Sequence, residues 1–207
     1  MIESQRGQWE AALTHSREAL RIKRMALSAG DPDIALAENN VGYVLVQLGR
    51  YDEAERMLLG AIADTEKTYG ASHPSTANAL ESLAECQWKR GHLADALRTA
   101  SRALAINEAA LDPGSVVIAQ PLYVIACVER DLGRVEEAER DFRRCLAVQE
   151  VGLGPTSMEV AVTLEGYAKL LRGSGRAAEA TAIEARARAI PHAAGATVAV
   201  GAVSPTH

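Results

Sequence analysis

Residues 38–58 read ENNVGYVLVQLGRYDEAERML and residues 133–150 read GRVEEAERDFRRCLAVQE. In each, a Gly (Gly49, Gly133) is followed five positions on by an Ala (Ala54, Ala138), and the same pair recurs as Gly7/Ala12, Gly91/Ala96 and Gly175/Ala180, every 42 residues. Other columns keep that period: Ala35, Ala77, Ala119 and Ala161; Leu27, Tyr69, Leu111 and Leu153; Val41, Leu83, Ile125 and Tyr167; Gly42, Ala84, Ala126 and Ala168; Ala19, Ala61, Ala103 and Cys145. Columns in register across a chain mark a repeat architecture, in which each unit buries a face against its neighbour.

Each period reads as two helices. The first covers 33–48 or 75–90, with apolar or small residues at i, i+3, i+4 and i+7. Asp31-Pro32 and His73-Pro74 mark its start, because Pro presets φ and its predecessor resists the helix. The periodic Gly marks its end by admitting the left-handed conformation. The second helix, 52–69 for example, follows a short turn, runs antiparallel, and is expected to be longer by more than a turn. The small column at 42, 84, 126 and 168 faces the Ala column at 54, 96, 138 and 180, so the two axes approach closely.

Composition agrees with helices. Of 207 residues, 39 are Ala and only 8 are aromatic; Ala favours helices, whereas aromatic residues favour sheets. The net charge of -5 argues against a phosphate-backbone binder, and hence against nucleic acid as a partner. No cationic segment followed by an apolar run opens the chain, and no run of 18 apolar residues occurs, so neither a cleaved signal nor a membrane span is expected. Cys86, Cys127 and Cys145 show no CxxC spacing, which fits a reducing compartment and a cytoplasmic protein.

The columns at 42, 49, 54 and 61 and their periodic equivalents resemble the signature of the tetratricopeptide repeat. The usual unit has about 34 residues; the longer period resembles the kinesin-light-chain type. The resemblance covers about residues 7–190 and implies an all-α, right-handed superhelical solenoid of antiparallel helix pairs, about four and a half repeats long. Residues 1–190 then form the solenoid, phased on Gly7, Gly49, Gly91, Gly133 and Gly175, and the first unit lacks its first helix. Residues 191–207, rich in Pro, Gly and small side chains, read as a flexible low-complexity tail. The helix at 8–27, uncapped and carrying Trp9, Leu13, Leu20 and Leu27, is expected to be an association surface. Pro121 should start its helix near Gln120 or bend it, after a loop at Asp112-Pro113-Gly114.

The resemblance also implies that the first helices line a concave groove. By register its strip runs through Leu36, Asn39, Tyr43, Val46 and Gln47, then Asn78, Glu81, Glu85, Trp88 and Lys89. It continues through Gln120, Tyr123, Cys127, Arg130 and Asp131 to Val162, Glu165, Lys169 and Arg172. The candidate binding residues are Asn39, Tyr43, Asn78, Glu81, Glu85, Trp88, Tyr123, Arg130, Glu165, Lys169 and Arg172. Aromatic and Arg side chains are natural anchors of an interface, although Tyr43, Trp88 and Tyr123 suit packing between adjacent helices as well. Trp88 and Arg130 should stack as a cation–π pair. Glu139, on a second helix, should lie outside the strip. The acids in the strip disfavour a dedicated carboxylate clamp, and only Asn39-Asn40 reproduces the Asn pair that the kinesin-light-chain type carries.

A catalytic reading finds no support. His15, His73, His92, His192 and His207 are scattered, with none of the spacings of a metal site. Gly152-Leu153-Gly154 follows a helix rather than a strand, which disfavours a phosphate loop. Cys86 and Cys145 sit in apolar columns, and Cys127 falls on the groove face. The expected function is therefore a scaffold for protein–protein interaction that binds a peptide or partner protein without catalysis, metal or cofactor. The alternatives are the repeat region of a larger regulatory or effector-bearing protein, or a peptide-sensing regulator.

Overall fold

The computed structural model describes residues 2–112 and 114–191, with side chains from residue 6 onward; Pro113 and all but the first residue of the tail expected at 191–207 lie outside the described residues. Within them the chain forms nine α-helices and no strand. These are α1 (Ile2–Ala26), α2 (Pro32–Gln47), α3 (Tyr51–Tyr69), α4 (Pro74–Arg90), α5 (Leu93–Ala110), α6 (Ala119–Asp131), α7 (Val135–Leu153), α8 (Met158–Gly173) and α9 (Ala177–Ala189). The first helices of the units are α2, α4, α6 and α8; each packs on the second helix that follows it and on the one before it.

Local chemistry sets the boundaries, which fall within one residue of 33–48, 52–69 and 75–90. Asp31 and His73 cap α2 and α4 by accepting the N–H groups of Asp33 and Ser75, with Pro in the first turn of each helix. The periodic glycines turn the chain between paired helices: Gly49, Gly91, Gly133 and Gly175 have φ of 74°, 87°, 76° and 80°. At each turn the next N–H reaches back five residues, as from Arg50 to the Leu45 carbonyl and from Arg176 to that of Leu171, both 2.9 Å. That closure satisfies carbonyls the helix leaves free.

Two expectations about the helices need correction. Only in the unit phased on Gly133 does the second helix exceed the first by more than a turn, with α7 at 19 residues against 13 for α6. There a 3-10 turn, Val116–Ile118, takes up the approach to Pro121, which then sits in the first turn of α6 where its missing N–H breaks no bond. Helix α1 begins at Ile2 rather than at residue 8, so Gly7 is helical and is not a turn.

The association surface expected on α1 is also different. Leu13 and Leu20 are buried, and Trp9 and Leu27, each half-buried, pack against the same core as α2 and α3, so much of that apolar surface is engaged within the fold. Beside them on α1, His15, Ser16, Ala19 and Lys23 line a cleft with Leu36, Ala37 and Asn40 of α2, and at the position of Ser16 later units bury Leu58 and Phe142. At the other end, the exposed Arg188 on α9 stands where Ile62 and Leu146 are buried.

The small columns mark close contacts. Ala54, Ala96, Ala138 and Ala180 are fully buried. A Cβ on Gly42 would stand 2.6 Å from Cγ and Cδ2 of Leu58, so this pair of helices meets at a distance only Gly permits.

Candidate functional site

Successive first helices touch one another directly, α2 with α4, α4 with α6 and α6 with α8, whereas among the described residues no second helix approaches the next one backbone to backbone. The stack therefore curves toward its first helices, and their exposed edges form the inner surface.

Side chains cross from helix to helix along that surface. Asn39 donates to Oδ1 of Asn78 at 2.7 Å, tying α2 to α4. About two turns further on, Gln47 donates to Glu85 at 3.0 Å and accepts from Lys89 at 3.1 Å, while Lys89 pairs with Glu85 at 2.8 Å. Between α4 and α6, the Trp88 indole N–H donates to Asp131 at 2.7 Å, and the Arg130 guanidinium donates twice to the other oxygen of that carboxylate. Behind them runs a chain of rings: Trp88 meets Tyr123 edge-on at 6.2 Å, Tyr123 meets Phe142 at 6.3 Å, and Phe142 stacks on Tyr167 at 5.9 Å. Tyr43 meets Trp9 edge-on, and burial, aided by the charge of Glu85, pushes its hydroxyl up to about 12. Burial also raises Tyr123. These hydroxyls stay neutral at physiological pH.

Not every strip residue faces the groove. Glu81 turns toward α5 and accepts from Asn107 at 2.8 Å; burial outweighs that hydrogen bond and pushes its carboxyl up to about 8. Cys127 is fully buried rather than on the groove face. Arg172 pairs with Glu184 of α9 at 2.6 Å. Trp88 and Arg130 do not form the expected stack; they meet through Asp131, because the indole N–H and the guanidinium seek the same acceptor. Glu165 and Lys169, on α8, are exposed and take part in no ion pair among the described residues. Glu139 does lie on a second helix, but it is a structural junction that accepts from Tyr167 and pairs with Arg143 and Arg176.

Asp131 and Gln47 belong to the strip by register, yet their joining role was not visible in it. Each stands one position past an anchoring column, and 42-residue spacing alone does not show that Trp88 reaches Asp131 across a helix. Among the described residues, no group of three or more His, Cys, Asp and Glu side chains is arranged to hold a metal ion, and no helix is long and apolar enough to cross a membrane.

Comparison with known proteins bears on the fold. A family model described as tetratricopeptide repeat matches residues 1–58, 33–109 and 117–191. Among solved structures, the chain is similar to the kinesin-light-chain-like repeats of Podosopora anserina, 21% identical with a TM-score of 0.68, covering 90% of this chain and 88% of that one. It is also similar to BtubC of P. vanneervenii, 18% identical with a TM-score of 0.72, covering 99% and 84%. A Rap protein complexed with competence and sporulation factor is 18% identical with a TM-score of 0.75, covering 91% of this chain and 51% of that one. Among curated proteins, a 60-residue stretch is 38% identical to the secreted RxLR effector protein RXLR-C07 of Plasmopara halstedii, and covers 29% of this chain. That stretch is 18% of the effector, so the chain spans under a fifth of that relative's length. The period, the paired helices with their left-handed glycine turns, and a family match over most of the chain lead to one conclusion: the chain belongs to the tetratricopeptide repeat family.

Proposed function

We propose that the chain is a protein-interaction scaffold that holds a peptide, or an extended segment of a partner protein, along the inner surface of its first helices. The observation carrying this reading is the set of cross-helix ties Asn39–Asn78, Gln47–Glu85–Lys89 and Trp88–Asp131–Arg130. They hold polar and aromatic groups in place before a ligand arrives, and prior ordering lowers the entropic cost of binding. Asn39, Tyr43, Asn78, Glu85, Trp88, Tyr123 and Arg130 make the ordered part of the strip; Glu165 and Lys169 offer unpaired charge at its α8 end. Glu81 and Arg172 contribute at most through their neighbours. A ligand of mixed charge fits this arrangement, with an acid toward Lys169 and a base toward Glu165. Residues 1–190 act as one solenoid with 191–207 appended, and neither catalysis nor a cofactor is required. Three buried free thiols suit a reducing, cytoplasmic setting.

A second reading, a repeat region serving a longer regulatory or effector-bearing chain, is favoured by the small share of the curated relatives that the matched stretches represent. The two readings share the groove. The test is a displayed-peptide selection against the full chain, followed by binding measurements on Glu165→Lys, Lys169→Glu and, as a second-helix comparison, Glu136→Lys. Selected peptides should lose affinity in the two α8 variants and keep it in Glu136→Lys. Binding that survives both α8 changes and is lost in Glu136→Lys would place the working surface on the second helices.

A further inference from the structure

The second helices of successive units are tied across their gap at one repeating position. Arg102 reaches Glu66, Arg144 reaches Glu108 and Arg186 reaches Glu150, each pair 36 residues apart. The period puts Arg24 and Gly60 at the matching positions of α1 and α3. No tie forms there: Gly60 has no side chain to offer, and Arg24 turns to Glu38 on α2 at 2.6 Å. The gap between α1 and α3 contains a cleft of about 430 Å³.

Its floor is apolar, made by Leu20, Val41, Leu45 and Met57, and Met25 stands 75% exposed at its edge. Its rim carries Arg17, Arg21, Arg24 and Arg56 around one carboxylate, that of Glu53. Arg17 and the adjacent Arg50 share the single carboxylate of Glu53, Arg21 holds Glu18, and Arg24 holds Glu38. Arg56 has no ion pair or hydrogen bond among the described residues. Five guanidinium groups thus meet three carboxylates, a local positive surplus on a chain whose formal charge is -5.

We propose that this cleft, on the second-helix side and separate from the first-helix strip, docks an acidic amphipathic segment of a partner protein. Carboxylates of the segment meet Arg21 and Arg56, and an aliphatic side chain between them lies on the floor beside Met25 and Met57. The cation surplus selects acids, and the methionines adapt to the shape of the inserted chain.

The test titrates the full chain with a fluorescein-labelled peptide EELLEELLEE, with its counterpart KKLLKKLLKK, and with phosphatidylserine-containing vesicles. The acidic peptide should bind and the basic one should not, with affinity falling as salt is raised. Arg56→Glu should weaken acidic-peptide binding roughly tenfold. Arg98→Glu, the same charge change at an exposed site on α5, should leave it unchanged, with both variants melting like the parent. Absence of acidic-peptide binding, or equal loss in the two variants, overturns the proposal. So does Arg56-dependent binding of vesicles without peptide binding, which would make the cleft a lipid-headgroup site. Loss of the acidic peptide in Lys169→Glu would also overturn it, by moving that peptide to the first-helix strip; failure of the strip to bind any ligand leaves this cleft unaffected.

Discussion

Trp88 on α4 and Asp131 on α6 are joined by an indole N–H donated to Oδ2 at 2.7 Å, and the other oxygen of that carboxylate holds Arg130. One acid therefore orders both an aromatic ring and a cation at the junction of two repeats. Removing it leaves two donors without their acceptor. Asp131→Ala should destabilise the chain by about 1–2 kcal/mol, and Trp88→Phe by a similar amount, the lost bonds being partly exposed. Because both changes break the same bond, the double variant should cost less than their sum in denaturant unfolding. Strict additivity would show that the pair is not coupled.

Gly42 and Leu58 meet where a Cβ would intrude to 2.6 Å. In the next unit the same two positions hold Ala84 and Ala100, both fully buried, so volume moved from one helix to the other. Gly42→Ala should cost about 1–3 kcal/mol by overpacking against the immobile Leu58. Gly42→Ala with Leu58→Ala, which copies the neighbouring unit, should be less destabilising than Leu58→Ala alone. The reverse order in thermal melting would mean that the close approach is not what requires Gly.

The repeat made the helices and their partners readable, because the glycine turns and small columns act through backbone geometry that recurs in every unit. Side-chain direction was less readable. Glu81 and Glu85 lie one turn apart on the same helix, yet one turns inward to Asn107 and the other outward to Gln47. Helical register gives the angle at which a side chain leaves the axis; the rotamer depends on which partner the neighbouring helix supplies. Glu139 shows the same limit. Its position marks it as a second-helix surface residue, but Arg143, Tyr167 and Arg176, from α7, α8 and the turn before α9, converge on it.

The three thiols offer a check on the core. Cys86, Cys127 and Cys145 are buried, and burial pushes them up to about 11, 11 and 12, chiefly by desolvating the thiolate. A thiol reagent acts on the thiolate. In the native chain near neutral pH, Ellman's reagent should release thionitrobenzoate no faster than the chain opens, and in denaturant all three should react at once. Fast reaction of one cysteine in native buffer would show that its column is not closed.

Stability should fall as pH rises through neutrality, and the cause lies in two carboxyls of the middle repeats. Glu129 on α6 has one buried oxygen with no hydrogen-bond partner; burial, then the charge of Asp141 on α7, pushes it up to about 7 against the opposing pull of Arg140. The period puts Leu45 with Met57, Gln87 with Thr99 and Leu171 with Ile183 at the equivalent positions, so an acid pair stands where two units place apolar side chains and one places uncharged polar ones. Glu81 is raised in the same direction, to about 8. Both values lie above the ordinary 4.5, so between them the folded chain holds protons that the unfolded chain has released. Their contribution is fully present below about pH 4.5 and is lost as pH rises through about 7 and then 8. The carboxylates held by arginine, Glu53, Glu139 and Glu179, shift the other way, and their contribution disappears only in acid below the ordinary carboxylate range. A scan from about pH 5.5 to 8.5 therefore isolates the raised pair. The parent chain should melt at progressively lower temperature across that window, and Glu81→Gln with Glu129→Gln should remove most of the slope. A parent whose melting temperature holds steady or rises over the window would mean that these carboxyls are already ionised in the fold.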